Sequence, residues 1–293
     1  MNKVLARQMI VPNMHLLKVY SPDIARKAKP GNFVILIPDE NGERIPLTIS
    51  DWDIEDGSVT SIFMEVGATT RKLAQLNAGD SIEAHVGPLG LPTEIKNFGT
   101  VVCAGGCYGI GGIYPIVKAL KEAGNQVISV IEARSSFLIY WEDKLKSVSD
   151  QLYIVTRDGS RGIKGHITHV LEKILKENKV DRVIAIGCTY MMMLSAESTR
   201  PFEVKTMVSL NPIMLDATGM CGVCQVLIGG ETRFACVDGP EFDGHKVDWN
   251  KLFARKEVYI TEERDSLRMH ECRSYPEVMG VRNLIKHKEK VGV

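Results

Sequence analysis

The chain is 293 residues long, 44% hydrophobic and 25% charged, with 36 basic and 36 acidic side chains in balance. That is an ordinary globular composition with room for about two domains, and the even balance supplies no overall field for nucleic acid or an anionic membrane surface. The most apolar stretch, 101–117, is broken by glycines and a proline and is too short to span a bilayer; no signal-peptide pattern opens the chain, and seven cysteines, an odd number, point to a reducing cytoplasm rather than a disulfide framework.

Residues 1–97 read as short strands at 5–10, 15–20, 33–37, 45–50, 59–65 and 81–85, punctuated by Pro-Gly, Asn-Gly and Asp-Gly pairs. This spacing predicts a small antiparallel β-barrel with one short helix at 69–76. Gly67 stands ahead of Thr69 and Thr70 at the start of that helix. Free N–H groups and two hydroxyls there suit a phosphate, or an ordinary N-cap. Arg44 precedes Pro46, Leu47, Thr48, Ile49 and Ser50, and is either a phosphate ligand or a solvated hairpin charge.

From residue 98 to 205 the pattern changes to strands at 100–104, 126–132, 151–156 and 182–187, with helices at 114–123 and 167–176. Such alternation predicts a parallel sheet with right-handed crossovers. Gly105, Gly106, Gly109 and Gly111 follow the first strand, at the sheet edge where α/β folds bind ligands. The glycine spacing is a loose dinucleotide match, and a tight turn needing small residues for helix packing is the alternative. Glu132 ends the second strand and suits an adenine-ribose diol, whereas Arg134, Arg157 and Arg161 suit a 2′-phosphate, so NAD(H) and NADP(H) both stay open. Asp158 in a second Gly-rich turn and Gly187 after the last strand complete three loops around one crevice. Cys103, Cys107, Cys188 and the Met191 to Met193 triplet read as packing residues.

The third segment, 206–293, carries Asp216, Cys221, Cys224 and Cys236. Plant-type [2Fe-2S] loops space their cysteines as C-x4-C-x2-C followed by a distant fourth. Here Asp216 takes the place of the first cysteine, with Gly219 and Gly222 permitting the loop to turn its N–H groups inward. A zinc site of the same four residues, or reduced structural cysteines, are the alternatives. The tail at 248–293 mixes charges with Trp249, Phe253 and Tyr259, and reads as an interaction region or a solvated helix.

In this order the three segments resemble the ferredoxin-NADP reductase superfamily with an appended [2Fe-2S] domain. Within it they are most similar to the FAD-binding small subunits of NADH-dependent ferredoxin:NADP oxidoreductases, also called sulfide dehydrogenase subunits. The resemblance rests on Arg44 to Ser50, Val86-Gly87-Pro88-Leu89-Gly90, Asp158-Gly159-Ser160 and, most specifically, Leu210-Asn211-Pro212 through the Asp216 and Cys221 block to Cys236-Val237-Asp238-Gly239-Pro240. It implies an α/β plus β protein: a β-barrel holding FAD, a parallel-sheet domain holding the nicotinamide nucleotide, and an iron-sulfur domain. It places Pro46 to Ser50 against the isoalloxazine, with Thr48 or Ser50 near N5, and Gly67 to Thr70 near the pyrophosphate. No side chain acts as acid or base, because the cofactors carry electrons between a two-electron and a one-electron carrier. The implied partner is a larger flavin/[4Fe-4S] subunit, with ferredoxin served indirectly. Three positions depart from the pattern: Leu47 replaces the usual stacking Tyr, Cys188-Thr189 replaces a Pro, and Arg157 occupies a commonly acidic position. The electron-transfer subunit of dihydroorotate dehydrogenase B is the neighbouring alternative, and a non-catalytic zinc-stabilised nucleotide-binding protein is the alternative of another class.

Overall fold

The computed structural model describes residues 2–274. The part of the tail beyond 274 lies outside the described residues. Seven antiparallel strands form a curled, near-barrel sheet: β1 (Asn2–Val11), β2 (Met14–Tyr20), β3 (Phe33–Ile37), β4 (Ile45–Asp53), β5 (Ser58–Met64), β6 (Ser81–Ile82) and β7 (Ala84–Leu89), in the order β6-β1-β2-β5-β4-β3-β7. The expected strand at 81–85 is thus two strands on opposite edges. Two short helices join it, α1 (Pro22–Ala25) and α2 (Ala68–Ala74). Val34 and Leu36 of β3 point into the barrel core, while Phe33 and Ile35 pack with the core of the following sheet. Burial on both faces is why β3 reads as an unbroken apolar run.

The second sheet contains β8 (Thr100–Gly106), β9 (Gln126–Ala133), β10 (Gln151–Thr156), β11 (Ile163–Lys164), β12 (Arg182–Ile186), β13 (Thr206–Ser209) and, after the hairpin β14 (Gln225–Ile228) and β15 (Glu231–Phe234), β16 (Glu241–Asp243). Its order is β11-β10-β9-β8-β12-β13-β16, parallel except for β16. The helices are α3 (Gly109–Glu122), α4 (Glu142–Val148), α5 (Ile167–Glu177), α6 (Thr189–Thr199), α7 (Trp249–Lys256) and α8 (Ile260–Ser274). In α5, Ile167, Val170, Leu171, Ile174 and Leu175 are buried on one stripe, the spacing of a helix seated on a sheet.

Two sequence expectations are corrected. The second unit does not stop at residue 205, because β13 extends its sheet and β16 returns to it, so the cluster-loop region is an excursion between two strands. The helix expected at 114–123 starts at Gly109, five residues earlier. Glycine's poor helix propensity hides that first turn, and tertiary packing overrides it.

Glu241 on β16 joins the segment after the barrel to this sheet: it is half-buried and accepts the Thr93 hydroxyl. Burial pushes its carboxyl up to about 7, against the pull of Thr93 and the Arg182 guanidinium. In the unfolded chain this group ionises near its ordinary 4.5, whereas in the fold it keeps its proton until about 7. Its contribution to stability is therefore complete below the unfolded value and is lost as pH rises through the folded one. Glu241→Gln keeps an acceptor for Thr93 without the charge. Relative to wild type it is expected to gain on the order of 3 kcal/mol between about pH 5 and about pH 8, read from chemical denaturation midpoints across that range.

Candidate functional site

A cavity of about 290 Å³ opens where the two sheets meet. Phe33, Ile45, Pro46, Leu47, Thr48 and Phe63 wall it from the barrel, Tyr108 and Ile186 from the loop after β8 and the end of β12, and Ser209 to Pro212 with Met214 from the chain leaving β13. Apolar walls with a few convergent polar groups are the usual make-up of a cofactor site.

Of the expected flavin contacts, Pro46, Leu47 and Thr48 line the cavity and Ile49 and Ser50 do not. Ile49 is fully buried in the barrel core. The Ser50 hydroxyl lies 3.1 Å from where a Cβ on Gly111 would sit, sealed against α3. Strand alternation puts Thr48 and Ser50 on one face, but α3 covers only the second of them. At α2, Thr70 reaches the cavity and caps the helix: its hydroxyl oxygen accepts from the N–H groups of Val66 and Gly67 at 3.0 and 2.9 Å. Thr69 is buried, with its hydroxyl 3.5 Å from the Glu43 carboxylate. Gly67 faces open space, with nothing within 4 Å of an added Cβ.

The glycine loop is filled by the protein itself. A Cβ on Gly109 would lie 1.9 Å from the Ile186 carbonyl oxygen, and one on Gly111 2.7 Å from the Ile62 side chain. Gly105 and Gly106 are likewise buried, against Ile113 and Met191. These four positions serve close packing, the alternative reading of the motif. The loop is fixed by Tyr140, whose hydroxyl accepts from Gly111 N–H at 3.0 Å and donates to the Cys107 and Tyr108 carbonyls at 2.9 and 3.2 Å. Tyr140 was not singled out from sequence because it comes from the segment after β9, some thirty positions away.

Glu132 is not a free carboxylate at the sheet edge. It is buried, accepting from Ile167 N–H at 2.6 Å and from Arg157 Nε at 3.0 Å. A buried charge needs such partners, and this one caps α5. Glu132 is thus engaged by α5 and by Arg157, whose guanidinium stays 43% exposed. Arg161 pairs with Glu142 at 2.8 Å, which leaves Arg134 exposed at the edge. Asp158 is exposed, and hydrogen bonds from the Ser160 hydroxyl and N–H hold its carboxyl down at about 2, so it stays ionised and shapes its turn. Gly187 presents its carbonyl to the Tyr108 hydroxyl at 2.7 Å. Tyr108 in turn accepts from the Asn211 carboxamide.

In the cluster loop the structure brings Cys224 and Cys236 together, buried, with sulfurs 3.3 Å apart, too far for a disulfide bond. Burial, then the facing Cys224 thiol, pushes the Cys236 thiol up to about 11, opposed by the Gly219 N–H; the Cys221 charge also weighs against ionisation. A thiol pair that resists ionising together suits a cationic iron core that would neutralise it, so the donor chemistry fits a cluster. Asp216 opens the same loop. Its carboxylate sits 3.6 Å from the Arg44 guanidinium, so two residues expected at different cofactors meet each other across the two lobes. Among the described residues no three His, Cys, Asp or Glu side chains converge on one metal position.

Residues 211–248 match the iron-sulfur cluster binding domain of dihydroorotate dehydrogenase B. Over 266 residues, 91% of this chain and 94% of the relative, the sequence is 44% identical to a dihydroorotate dehydrogenase B electron transfer subunit homolog of Thermotoga maritima. The chain belongs to that electron transfer subunit family. A Desulforamulus reducens member is 30% identical over 84% of this chain and 97% of its own. Among solved structures, a chain from the NADH-dependent reduced ferredoxin-NADP oxidoreductase, described in terms of flavin-based electron bifurcation, superposes with TM-score 0.88 at 42% identity, covering 92% of this chain and 97% of that one. A ferredoxin NADP+ reductase from Neisseria gonorrhoeae with bound FAD and NADP shares the fold alone, at TM-score 0.59 and 15% identity. As a member of an electron transfer subunit family this chain works with a partner subunit, and among its described residues no helix is long and apolar enough to cross a membrane.

Removing the Tyr140 hydroxyl leaves the buried Gly111 N–H without its acceptor. Tyr140→Phe is expected to cost about 1–3 kcal/mol in urea denaturation while leaving the secondary structure by circular dichroism unchanged.

Proposed function

We propose that the chain is the FAD- and [2Fe-2S]-carrying electron transfer subunit of a ferredoxin:NADP oxidoreductase-type complex, taking electrons from NAD(H) or NADP(H) and passing them to a larger flavin/[4Fe-4S] subunit in the cytoplasm, with ferredoxin served indirectly. The observation that carries this reading is the single cavity walled by the barrel, the nucleotide-type sheet and the segment leading to the cluster loop. A flavin seat that adjoins both the nucleotide-type sheet and the segment leading to the cluster loop is what a relay between two-electron and one-electron carriers requires.

A flavin seated there supplies the conversion between hydride and single-electron transfer. The chain's own residues give it a place and a surrounding. Phe33, Leu47 and Phe63 exclude water, Thr48 offers a hydroxyl to the ring edge, and Thr70 holds the first turn of α2 where the phosphates would lie, beside the open space at Gly67. Arg134, Asp158 and Gly187 remain the exposed or edge groups for the nucleotide. Cys221, Cys224 and Cys236 would hold the cluster with Asp216 as fourth donor, and Arg44 stands beside that carboxylate. The family's dihydroorotate dehydrogenase branch is the second reading, supported by the 44% identity to the Thermotoga homolog; the superposition on the ferredoxin-NADP oxidoreductase chain at TM-score 0.88 and 42% identity, and Asp216 where a first cysteine would stand, support the first.

Anaerobic purification followed by metal, sulfide and flavin analysis tests this. About two irons, two sulfides and one FAD per chain are expected, with a rhombic spin-half EPR signal after reduction that changes in Asp216→Cys. Cys224→Ser should lose the iron and keep the FAD, because Cys224 is not part of the cavity wall. A preparation with one zinc and no flavin would refute the reading.

A further inference from the structure

Beside the cavity, and outside its lining, lies a cation from the far end of the chain. Lys256, the last residue of α7, is half-buried between the cavity and a shallow groove formed with Pro212, Val223 and Tyr259. Its ammonium donates to the Thr189 hydroxyl at 2.8 Å and to the Asn211 side-chain carbonyl at 3.1 Å. Thr189 itself donates to the same Asn211 oxygen at 2.8 Å. The Asn211 amide then donates to the Tyr108 hydroxyl, and Tyr108 to the Gly187 carbonyl. One continuous chain of hydrogen bonds thus runs from Lys256 to two residues, Asn211 and Tyr108, that face the cavity.

Two features make this more than a packing detail. Lys256 donates only to neutral acceptors: among the described residues no carboxylate lies within ion-pair distance, and the Glu263 carboxylate acts on it only from further away. An ammonium held in partly desolvated surroundings without a counter-ion projects its field into the neighbouring space. Burial accordingly lowers its proton affinity from the ordinary lysine value. Second, the groups it organises, Tyr108, Thr189 and Asn211, belong to the loops after β8, β12 and β13, the sheet edge from which a nicotinamide would approach a flavin seated on the barrel side.

We propose that Lys256 is a positioning residue for the nicotinamide end of the nucleotide, and that its charge makes this subsite prefer the neutral, reduced ring over the cationic, oxidised one. The inference rests on the electron transfer reading above and adds to it a preference between redox forms. A neutral dihydronicotinamide meets Asn211 and Tyr108 held in place, whereas a positively charged nicotinium meets the same groups with a cation behind them. The arrangement favours binding of the donor and release of the product.

The test uses the flavin- and iron-loaded protein and equilibrium binding of three probes: tetrahydro-NAD, whose ring is neutral and cannot give up hydride; NAD+; and ADP-ribose, which has no nicotinamide. The 2′-phosphorylated set is run in parallel. Wild type is expected to bind the neutral ring more tightly than NAD+. In Lys256→Met that gap should close by about tenfold, with ADP-ribose affinity, flavin content and iron content unchanged. Lys256→Arg, which retains a cation, should keep most of the gap. A gap that survives in Lys256→Met, or a loss shared equally by ADP-ribose, would overturn the assignment. Wild-type protein that binds none of the probes would remove the electron transfer reading, and this inference with it.

Discussion

The site depends on how closely the first turn of α3 approaches its neighbours. There is no room for a side chain where Gly109 passes the Ile186 carbonyl, and Gly111 has the Ile62 side chain against it in the same way. Contact with β12 sets the helix on the second sheet, and contact with β5 sets the barrel on the helix. Because interiors are packed to near-crystalline density, one methyl group at either position would have to be absorbed by moving a whole element. The cavity is the space left at the mouth of this three-way contact, bounded by Thr48 on one side and Tyr108 and Ile186 on the other. Tyr140 then fixes the loop between Cys107 and Gly111 from a third direction, so the turn is held by a side chain as well as by packing.

The C-terminal helices complete what the two sheets begin. Trp249 and Leu252 bury one side of α7 in the main core, and the Trp249 indole N–H donates to the Gly244 carbonyl at 3.2 Å. At the other end of that helix adjacent cations separate: the Arg255 guanidinium donates to the Val223 carbonyl inside the cluster loop at 3.0 Å, and Lys256 turns to Thr189 and Asn211. Consecutive helical residues point about 100° apart, which lets two neighbours serve two different loops. The same helix end therefore sets the backbone between Cys221 and Cys224 and the polar rim of the cavity. Arg44 and Asp216 make a second link between the barrel and the cluster loop.

Much of this architecture was legible because local pattern and global fold agree. The double-sided burial of β3 is visible in Phe33 to Ile37, the strand-helix alternation from residue 98 is visible in composition, and the Asp216 to Cys236 spacing marks the cluster loop. What was hidden depends on residues distant in sequence. Glu132 looks like a ribose ligand by its place after Gly111, yet the fold brings the start of α5 and Arg157 to it. The glycines of the 105–112 loop look like a phosphate cradle, yet Ile186, Ile62 and Met191 occupy the space that their missing side chains leave. Nothing around Lys256 in sequence points to Asn211, 45 positions away. The boundary at 205 failed for a related reason: β13 is only four residues long and its continuation into β16 waits for the cluster loop to finish.

Three ionisable groups in poorly solvated surroundings divide the labour of the second lobe by how each is compensated. Glu132 has a guanidinium and a helix N-terminus, and so is engaged within the fold. Glu241 has a hydroxyl donor at close range and a distant guanidinium, and its burial raises its pKa toward neutrality, so it stabilises β16 best when protonated. Lys256 has two neutral oxygens, each already engaged with the other, and no ion-pair partner among the described residues, with Glu263 acting on it only from further away. Desolvation is costly for all three, and it is offset locally in the first case and avoided by protonation in the second. Only in the third is the charge left for something that arrives from outside. An ammonium one hydrogen bond from the cavity wall, without an ion-pair partner among the described residues, leaves a positive field there that a neutral ring tolerates better than a cationic one.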